Sequence, residues 1–264
     1  MPPVKWNAED YAKHSQGQLA WARSVLERLE VAPDAHVLDI GCGDGKVSAE
    51  LARIVPEGRV VGIDNDSGMI ALAQRTWCPR APNLEFLVLD AQDIDLVKEL
   101  DFAFSNSTLH WVPDHLAVLR GVYSALKTGG RLFFSMGSRG TASAVYASLG
   151  EFATSKRWAS FISDARSPHY FFGPEEYKEW LPRVGLSADR IELIQKPLRH
   201  ANLSALEGWL RTTWMTYTDR IPAEQRGEFL SDLTALVETY CDRADDGAIL
   251  VPMMNLEVEA TRTN

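Results

Sequence analysis

His36-Val37-Leu38-Asp39-Ile40-Gly41-Cys42-Gly43-Asp44-Gly45 reads as a short buried strand that ends in an acidic residue and runs into three glycines at alternate positions. A helical pattern begins at Lys46. A dinucleotide-binding loop needs a third glycine close to the helix start, because the pyrophosphate sits on that helix N-terminus. Lys46 occupies the sixth position of that pattern, so the G-x-G-x-x-G spacing fails. Glycines two apart open the loop instead, and its backbone can lie against a flat or zwitterionic ligand with no Cβ atoms in the way.

Outward from this loop, apolar runs alternate with helical periods, the pattern of βαβ units on a parallel sheet. Strands are expected at His36–Ile40, Arg59–Asp64, Leu84–Asp90, Leu100–Ser105 and Arg131–Met136, and helices at Lys46–Val55, Gly68–Thr76 and Pro113–Lys127. Lys127-Thr128-Gly129-Gly130 reads as a helix stop and turn. Five strands in this order predict a doubly wound α/β sheet with ligands at its carboxyl edge. Residues 10–30 show a helical period through Leu19, Trp21, Ala22, Val25, Leu26 and Leu29, expected as one or two helices across the sheet edge.

After Gly137 the alternation stops. Aromatic residues follow at Tyr146, Phe152, Trp158, Phe161, Tyr170, Phe171 and Phe172, then a helix at Pro174–Val184 and a strand at Arg190–His200. Ser204–Tyr240 is largely helical and Ile249–Arg262 closes the chain as a strand. The expected organisation is one domain: helices at 10–30, a ligand-binding core at 35–137, insertions forming a helical cap at 138–173 and 203–246, and the closing strand at 249–262.

The chain has 264 residues, 45% hydrophobic and 24% charged, ordinary for a globular protein. A net charge of −9 argues against a surface built for a phosphate backbone, so no nucleic-acid partner is expected. Cys42, Cys78 and Cys241 have no CxxC spacing, which suggests neither a disulfide framework nor a metal site. Met1–Trp6 carries no apolar signal core and no run is long enough to span a bilayer. The expectation is a cytoplasmic protein with no membrane partner.

Acidic residues end three of the expected strands: Asp39, Asp64 and Asp90. A carboxylate after the second strand can accept from both hydroxyls of a ribose, and Asp64 is the candidate. A nicotinamide cofactor would use such a residue too. The glycine spacing and the lack of a second mononucleotide-binding half disfavour it. Asp39-x-Gly41-x-Gly43-x-Gly45 resembles the first motif of class I S-adenosylmethionine-dependent methyltransferases. That resemblance implies a seven-stranded Rossmann-like sheet whose last strand slots antiparallel between the fifth and sixth. It also implies S-adenosyl-L-methionine as cofactor, with Tyr11, Asp39, Gly41, Gly43, Asp64, Asn65, Asp90, Ala91 and Asn106 in contact with it. Asp39 and the backbone at Gly41 would hold the methionine portion, and Asp90 would accept from the adenine amine. Asp44 stands where many members carry proline, and Asn65-Asp66-Ser67-Gly68 departs from their commoner run.

Ser105-Asn106-Ser107-Thr108-Leu109-His110-Trp111-Val112-Pro113 follows the fourth strand, where the transferring methyl group would lie. The Asn-Pro-Pro-aromatic motif of DNA and protein-amide methyltransferases is missing there. Asn106 followed by His110-Trp111-Val112 is similar instead to trans-aconitate and juvenile-hormone-acid methyltransferases, which esterify carboxylates. Trp6-Asn7, Tyr11, His14-Ser15, Gln18 and Trp21 share that similarity. The resemblance implies a small-molecule acceptor, a carboxylate, facing Gln18 and Trp111, with His110 beside it. An indole N–H and an amide are donors suited to a carboxylate.

A carboxylate acceptor is already ionised at neutral pH and needs no general base. A carbon, nitrogen or hydroxyl acceptor would need one, with His110 and His14 as candidates. An acceptor with more than one carboxylate would need a cation, from among Arg139, Arg166, Arg199 and Arg211. A protein that binds the cofactor without catalysis is the remaining alternative.

Overall fold

The computed structural model describes residues 7–14, 16–96 and 99–264, and side chains at 13–18 and 20 fall outside that description. In chain order the helices are α1 (Ala8–His14), α2 (Gln16–Leu26), α3 (Lys46–Ile54), α4 (Ser67–Trp77), α5 (His115–Ala125), α6 (Ser143–Phe152), α7 (Ala159–Ile162), α8 (Pro174–Val184), α9 (Leu203–Thr213), α10 (Met215–Thr218) and α11 (Arg226–Thr239). The strands are β1 (His36–Ile40), β2 (Arg59–Asp64), β3 (Leu84–Val88), β4 (Leu100–Asn106), β5 (Leu126–Gly137), β6 (Leu186–Gln195), β7 (Leu198–His200), β8 (Asp242–Arg243), β9 (Ile249–Val251) and β10 (Met254–Arg262). The chain divides into two compact units.

The sheet unit comprises Gln18–Arg139, His169–Ile194 and Asn255–Asn264. Its seven strands run in the order β3-β2-β1-β4-β5-β10-β6. β1, β2, β3, β4 and β5 pair in parallel, and β10 pairs antiparallel with β5, Val258 opposite Phe134. This is the expected doubly wound sheet with its last strand inserted between the fifth and sixth. The strand order reverses between β1 and β4, which places the ligand crevice outside their carboxyl ends.

Alternation along each strand supplies both faces with apolar side chains. Val37, Phe102, Phe104 and Phe133 face one side and are covered by Trp21, Val25 and Leu26 of α2, Leu51 of α3 and Ile70 of α4. Leu38, Ile40, Ala103, Leu132 and Phe134 face the other, under α5 and α8. The stripe on α2 therefore packs on a face over the central strands and not across the sheet edge, because the Phe-rich face is where its apolar surface is removed from water.

Other boundaries differ from expectation as well. Lys127–Gly130 belongs to β5: its partners advance from Leu126 to Arg131 while β4 advances only from Leu100 to Phe102. The glycine turn is thus a bulge inside a strand, with Gly129 at φ +81°. β3 stops at Val88, two residues short of Asp90, and β4 runs one residue further, to Asn106. The strand expected at Arg190–His200 breaks after Gln195, ahead of Pro197, and its remainder joins a separate sheet. Pro252 likewise divides Ile249–Arg262 into β9 and β10. Proline supplies no N–H to a ladder, so a strand yields there.

The second unit comprises the described part of Met1–Gly17 with Gly140–Pro168 and Gln195–Met254. It holds α1, α6, α7, α9, α10 and α11 with a three-stranded sheet β7-β9-β8. Phe152, Trp158, Trp209, Trp214, Tyr217 and Phe229 are buried in its own core. Trp158 meets Phe229 edge-on at 5.2 Å between ring centroids. Arg211 makes a two-pronged ion pair to Asp10 at 2.9 and 3.0 Å, tying α9 to α1. Among the described residues no helix is long and apolar enough to cross a membrane.

Candidate active site

The chain leaves β1 through three glycines with positive φ: Gly41 at +72°, Gly43 at +54° and Gly45 at +78°. A Cβ on Gly41 would overlap the side chain of Thr108, whose hydroxyl donates to the Gly41 carbonyl at 3.0 Å. Backbone N–H groups of Gly41 and Cys42 both donate to the Ile63 carbonyl, at 2.8 and 2.9 Å, and Gly43 N–H donates to Asp64 Oδ2 at 3.0 Å. The loop is therefore bolted to the end of β2 through its own backbone N–H groups, which leaves its outer surface bare of side chains.

Three carboxylates surround it. Asp39 is 2% exposed and accepts from the Ser48 hydroxyl at 2.6 Å. Burial, opposed by that hydrogen bond and reinforced by the charge of Asp64, pushes its pKa up to about 7. Asp64 is half-buried and accepts from Gly43 N–H on one oxygen and Asp66 N–H, at 2.9 Å, on the other. Its pKa is raised by burial, with Asp66 and Asp90 adding repulsion. Asp90 Oδ1 accepts from the backbone and side chain of Gln92 at 2.8 and 3.1 Å, opening the short turn Ala91–Asp93. Asn65 beside Asp64 is exposed and Ala91 is buried. The three carboxylates concentrate negative charge at one end of the sheet, an environment that suits a cation and opposes an anionic pyrophosphate.

At the end of β4, Asn106 donates through Nδ2 to the Ser107 hydroxyl at 3.2 Å, and its Oδ1 is buried with no hydrogen-bond partner among the described residues. The turn Leu109–Trp111 follows. His110 is half-buried, and its Nδ1 accepts from Gly137 N–H at 3.2 Å. A ring nitrogen that accepts carries no proton, so neutral His110 is protonated on Nε2. Burial and the neighbouring imidazoles of His169 and His115 hold its pKa well below the usual value.

Residues 169–172 come alongside, Tyr170 N–H donating to the His110 carbonyl at 2.8 Å. His169 packs against Trp111 at 4.2 Å, against Phe171 at 5.2 Å and against His110 at 5.6 Å between centroids. Burial lowers the His169 pKa to about 4. Sequence reasoning misses this histidine, and its only local signal is that it precedes Tyr170-Phe171-Phe172. The segment expected in the cap to residue 173 thus contributes His169 and Phe171 to the sheet unit.

The other candidates belong to the second unit, have side chains outside the described residues, or stand in the sheet and helical units as arginines. Tyr11 stands on α1, in the second unit. The side chains of His14 and Gln18 lie outside the described residues. Arg139 pairs with Glu176, Arg199 with Asp246 and Arg211 with Asp10, while Arg166 is exposed.

Residues 37–130 match the family model described as a methyltransferase domain. The trans-aconitate 2-methyltransferase of Methylobacterium nodulans is 28% identical over 263 residues, covering 98% of each chain. The chain is an S-adenosylmethionine-dependent methyltransferase. Among solved structures, phosphoethanolamine N-methyltransferase 2 of Haemonchus contortus, in complex with S-adenosyl-L-methionine, is similar with a TM-score of 0.63 at 18% identity. That likeness covers 97% of this chain and 57% of the nematode enzyme. Geranyl diphosphate C-methyltransferase of Streptomyces coelicolor A3(2) reaches a TM-score of 0.57 at 17% identity, over 96% of this chain and 82% of that one. Those two methylate different atoms on one fold, so the fold does not decide the acceptor of this methyltransferase. The residues present fit the cofactor: a bare glycine loop, an electronegative crevice for a sulfonium and an ammonium group, and the unsatisfied acceptor on Asn106.

Proposed function

We propose that this methyltransferase esterifies the carboxylate of a small organic acid. The observation that carries the reading is the tautomer of His110. Its Nδ1 is taken by Gly137 N–H, so Nε2 presents a proton and the ring is a hydrogen-bond donor, not a general base. A carboxylate needs donors to orient it and no base, whereas carbon, nitrogen and hydroxyl acceptors call for proton removal. The trans-aconitate 2-methyltransferases among the relatives support the same acceptor class.

Asp64 would accept from the ribose hydroxyls through the lone pairs its two N–H donors leave, Asp90 and Ala91 would hold the adenine, and Asn65 would lie beside them. Asp39, Gly41, Gly43 and Asn106 would hold the methionine portion, and Tyr11 is assigned to the cofactor on the resemblance alone. S-adenosylmethionine supplies an electrophilic methyl group on a sulfonium centre. His110 Nε2–H and the Trp111 indole N–H orient the acceptor oxygen, Gln18 is a further donor, and the rings of His169 and Phe171 exclude water. No proton enters or leaves when a carboxylate and a sulfonium become an ester and a thioether, so alignment is the protein's main task.

The test uses methyl-labelled S-adenosylmethionine with a panel of mono-, di- and tricarboxylic acids, followed by mild alkali. Label released as volatile methanol is the expected outcome, with a rate at saturating cofactor that is flat in pH above the acid's own ionisation. Alkali-stable label, or a rate at saturating cofactor that rises with a base of pKa near neutrality, overturns the reading.

A further inference from the structure

The turn that carries His110 and Trp111 is held from beneath by two buried polar residues that the proposed chemistry does not use. His115, at the start of α5, is 2% exposed, and Tyr177 on α8 is fully buried. His115 Nε2 lies 2.7 Å from the Leu109 carbonyl oxygen, and Nδ1 lies 2.8 Å from the Tyr177 hydroxyl. A carbonyl only accepts, so the proton sits on Nε2 and the Tyr177 O–H donates to Nδ1. Leu109 opens the Leu109–Trp111 turn, so this bond grips the residue directly before His110.

The same imidazole reaches the other half of the aromatic wall. Its ring meets Phe172 edge-on at 4.6 Å between centroids, and Phe172 meets Trp180 of α8 at 4.9 Å. Phe172 follows Phe171, whose ring stands 6.2 Å from that of His110. Ser138 donates to the Phe172 carbonyl at 2.7 Å and fixes that segment from its other side. One side chain thus touches both stretches that build the wall, residues 109–111 and 169–172.

An apolar side chain would fill this space with less desolvation cost, because burying an imidazole and a phenol is unfavourable until their hydrogen bonds are made. What the polar pair adds is direction. Leu109 is anchored along a single N–H vector, and Tyr177 sets which way that vector points.

We propose that His115 and Tyr177 are a positioning pair that fixes the orientation and tautomer of His110, and with it the acceptor wall. The importance of that wall rests on the carboxylate reading above, but the test needs no acceptor and so fails separately from it. Imidazole nitrogen-15 NMR of the full chain reports the His110 tautomer directly. Wild-type His110 is expected to show one neutral form, protonated on Nε2. In His115→Leu the Nδ1 and Nε2 signals move towards averaged values, as the Gly137 bond is made only part of the time. His115→Gln, which keeps an amide N–H at the Nε2 position, restores them.

Tyr177→Phe removes a single oxygen and shifts the signals in the same direction by less. Affinity for S-adenosylhomocysteine, by calorimetry, stays within about twofold in all three, since the glycine loop and Asp64 share no hydrogen bond with the pair. With any acid the enzyme esterifies, kcat falls while the cofactor KM holds. An unchanged His110 signature in folded His115→Leu and Tyr177→Phe overturns the proposal. So does parallel loss of signature, cofactor affinity and melting temperature with no rescue by His115→Gln, which marks a purely structural role. Should His115→Leu fail to fold, Tyr177→Phe and His115→Gln decide.

Discussion

Asp39 on β1 and Asp64 at the end of β2 show how two neighbouring aspartates come to different states. Asp64 meets two N–H donors and stays half-buried, while Asp39 has one hydroxyl partner and almost no solvent. Its pKa of about 7 is raised above the unfolded value, so the folded protein holds a proton there that it releases as pH rises towards 7. A cationic ligand favours the ionised form, so binding S-adenosylmethionine displaces that proton below neutrality. Affinity is therefore expected to rise from about pH 6 to about pH 8 and to level off, with proton release visible by calorimetry in buffers of different ionisation enthalpy. In Asp39→Asn both the slope and the proton release vanish. Asp64→Ala is expected to cost about a hundredfold in cofactor affinity, about 3 kcal/mol, since it removes both the proposed ribose acceptor and the clamp on Gly43. An affinity for S-adenosylhomocysteine equal to wild type would remove Asp64 from the site.

Elements that carry their own end signals are placed by the local sequence to within two residues, α8 at Pro174–Val184 and α5 at His115–Ala125 against the expected Pro113–Lys127. α4 begins where Asp66 accepts from Met69 N–H at 2.9 Å, and α8 begins at Pro174 with Glu176 reaching back to the Gly173 N–H and ends at Gly185 in the left-handed region. α5 begins where Asp114 accepts from Ala117 N–H at 2.9 Å. Asp114→Ala is expected to lower stability by about 1 kcal/mol, measured by chemical denaturation. The turn with His110 and Trp111 directly precedes this cap, so acceptor turnover is expected to fall further than cofactor affinity. Elements whose ends depend on a partner strand are harder to place. Lys127–Gly130 has the composition of a turn, but pairing with β4 on both sides of it draws it into β5 as a bulge. His169 escapes a local reading for a related reason: a histidine before three aromatics becomes part of a wall only when Tyr170 N–H finds the His110 carbonyl 60 residues earlier in the chain.

Across both units, burial of histidine makes the fold sensitive to acid. His115 and His169 in the sheet unit and His200 in the helical unit each have a pKa lowered to about 4 by burial. The unfolded chain takes up these protons near pH 6.5 and the folded chain refuses them until about pH 4, so stability falls as pH drops through that window and levels off below it. His200 is 7% exposed and its Nε2 has no hydrogen-bond partner among the described residues, so it gives a simple readout. His200→Phe is expected to flatten the acid limb of a stability-against-pH curve by up to about 3 kcal/mol. An unchanged limb would mean that His200 is solvated or paired in solution.

The strand and glycine loop at residues 36–45, the succession of strands and helices along the chain and the aspartates at or near three strand ends are present in local residue patterns, because glycine spacing, β-alternation and helical period act over a few residues. From these, and from the resemblance they support, the cofactor class follows. The tautomer of His110, the place of His169, the burial of the cap aromatics in their own core and the docking of α2 on a sheet face arise only on folding. Each depends on a donor, an acceptor or an apolar face supplied from a distant part of the chain, and no local pattern encodes which partner will arrive.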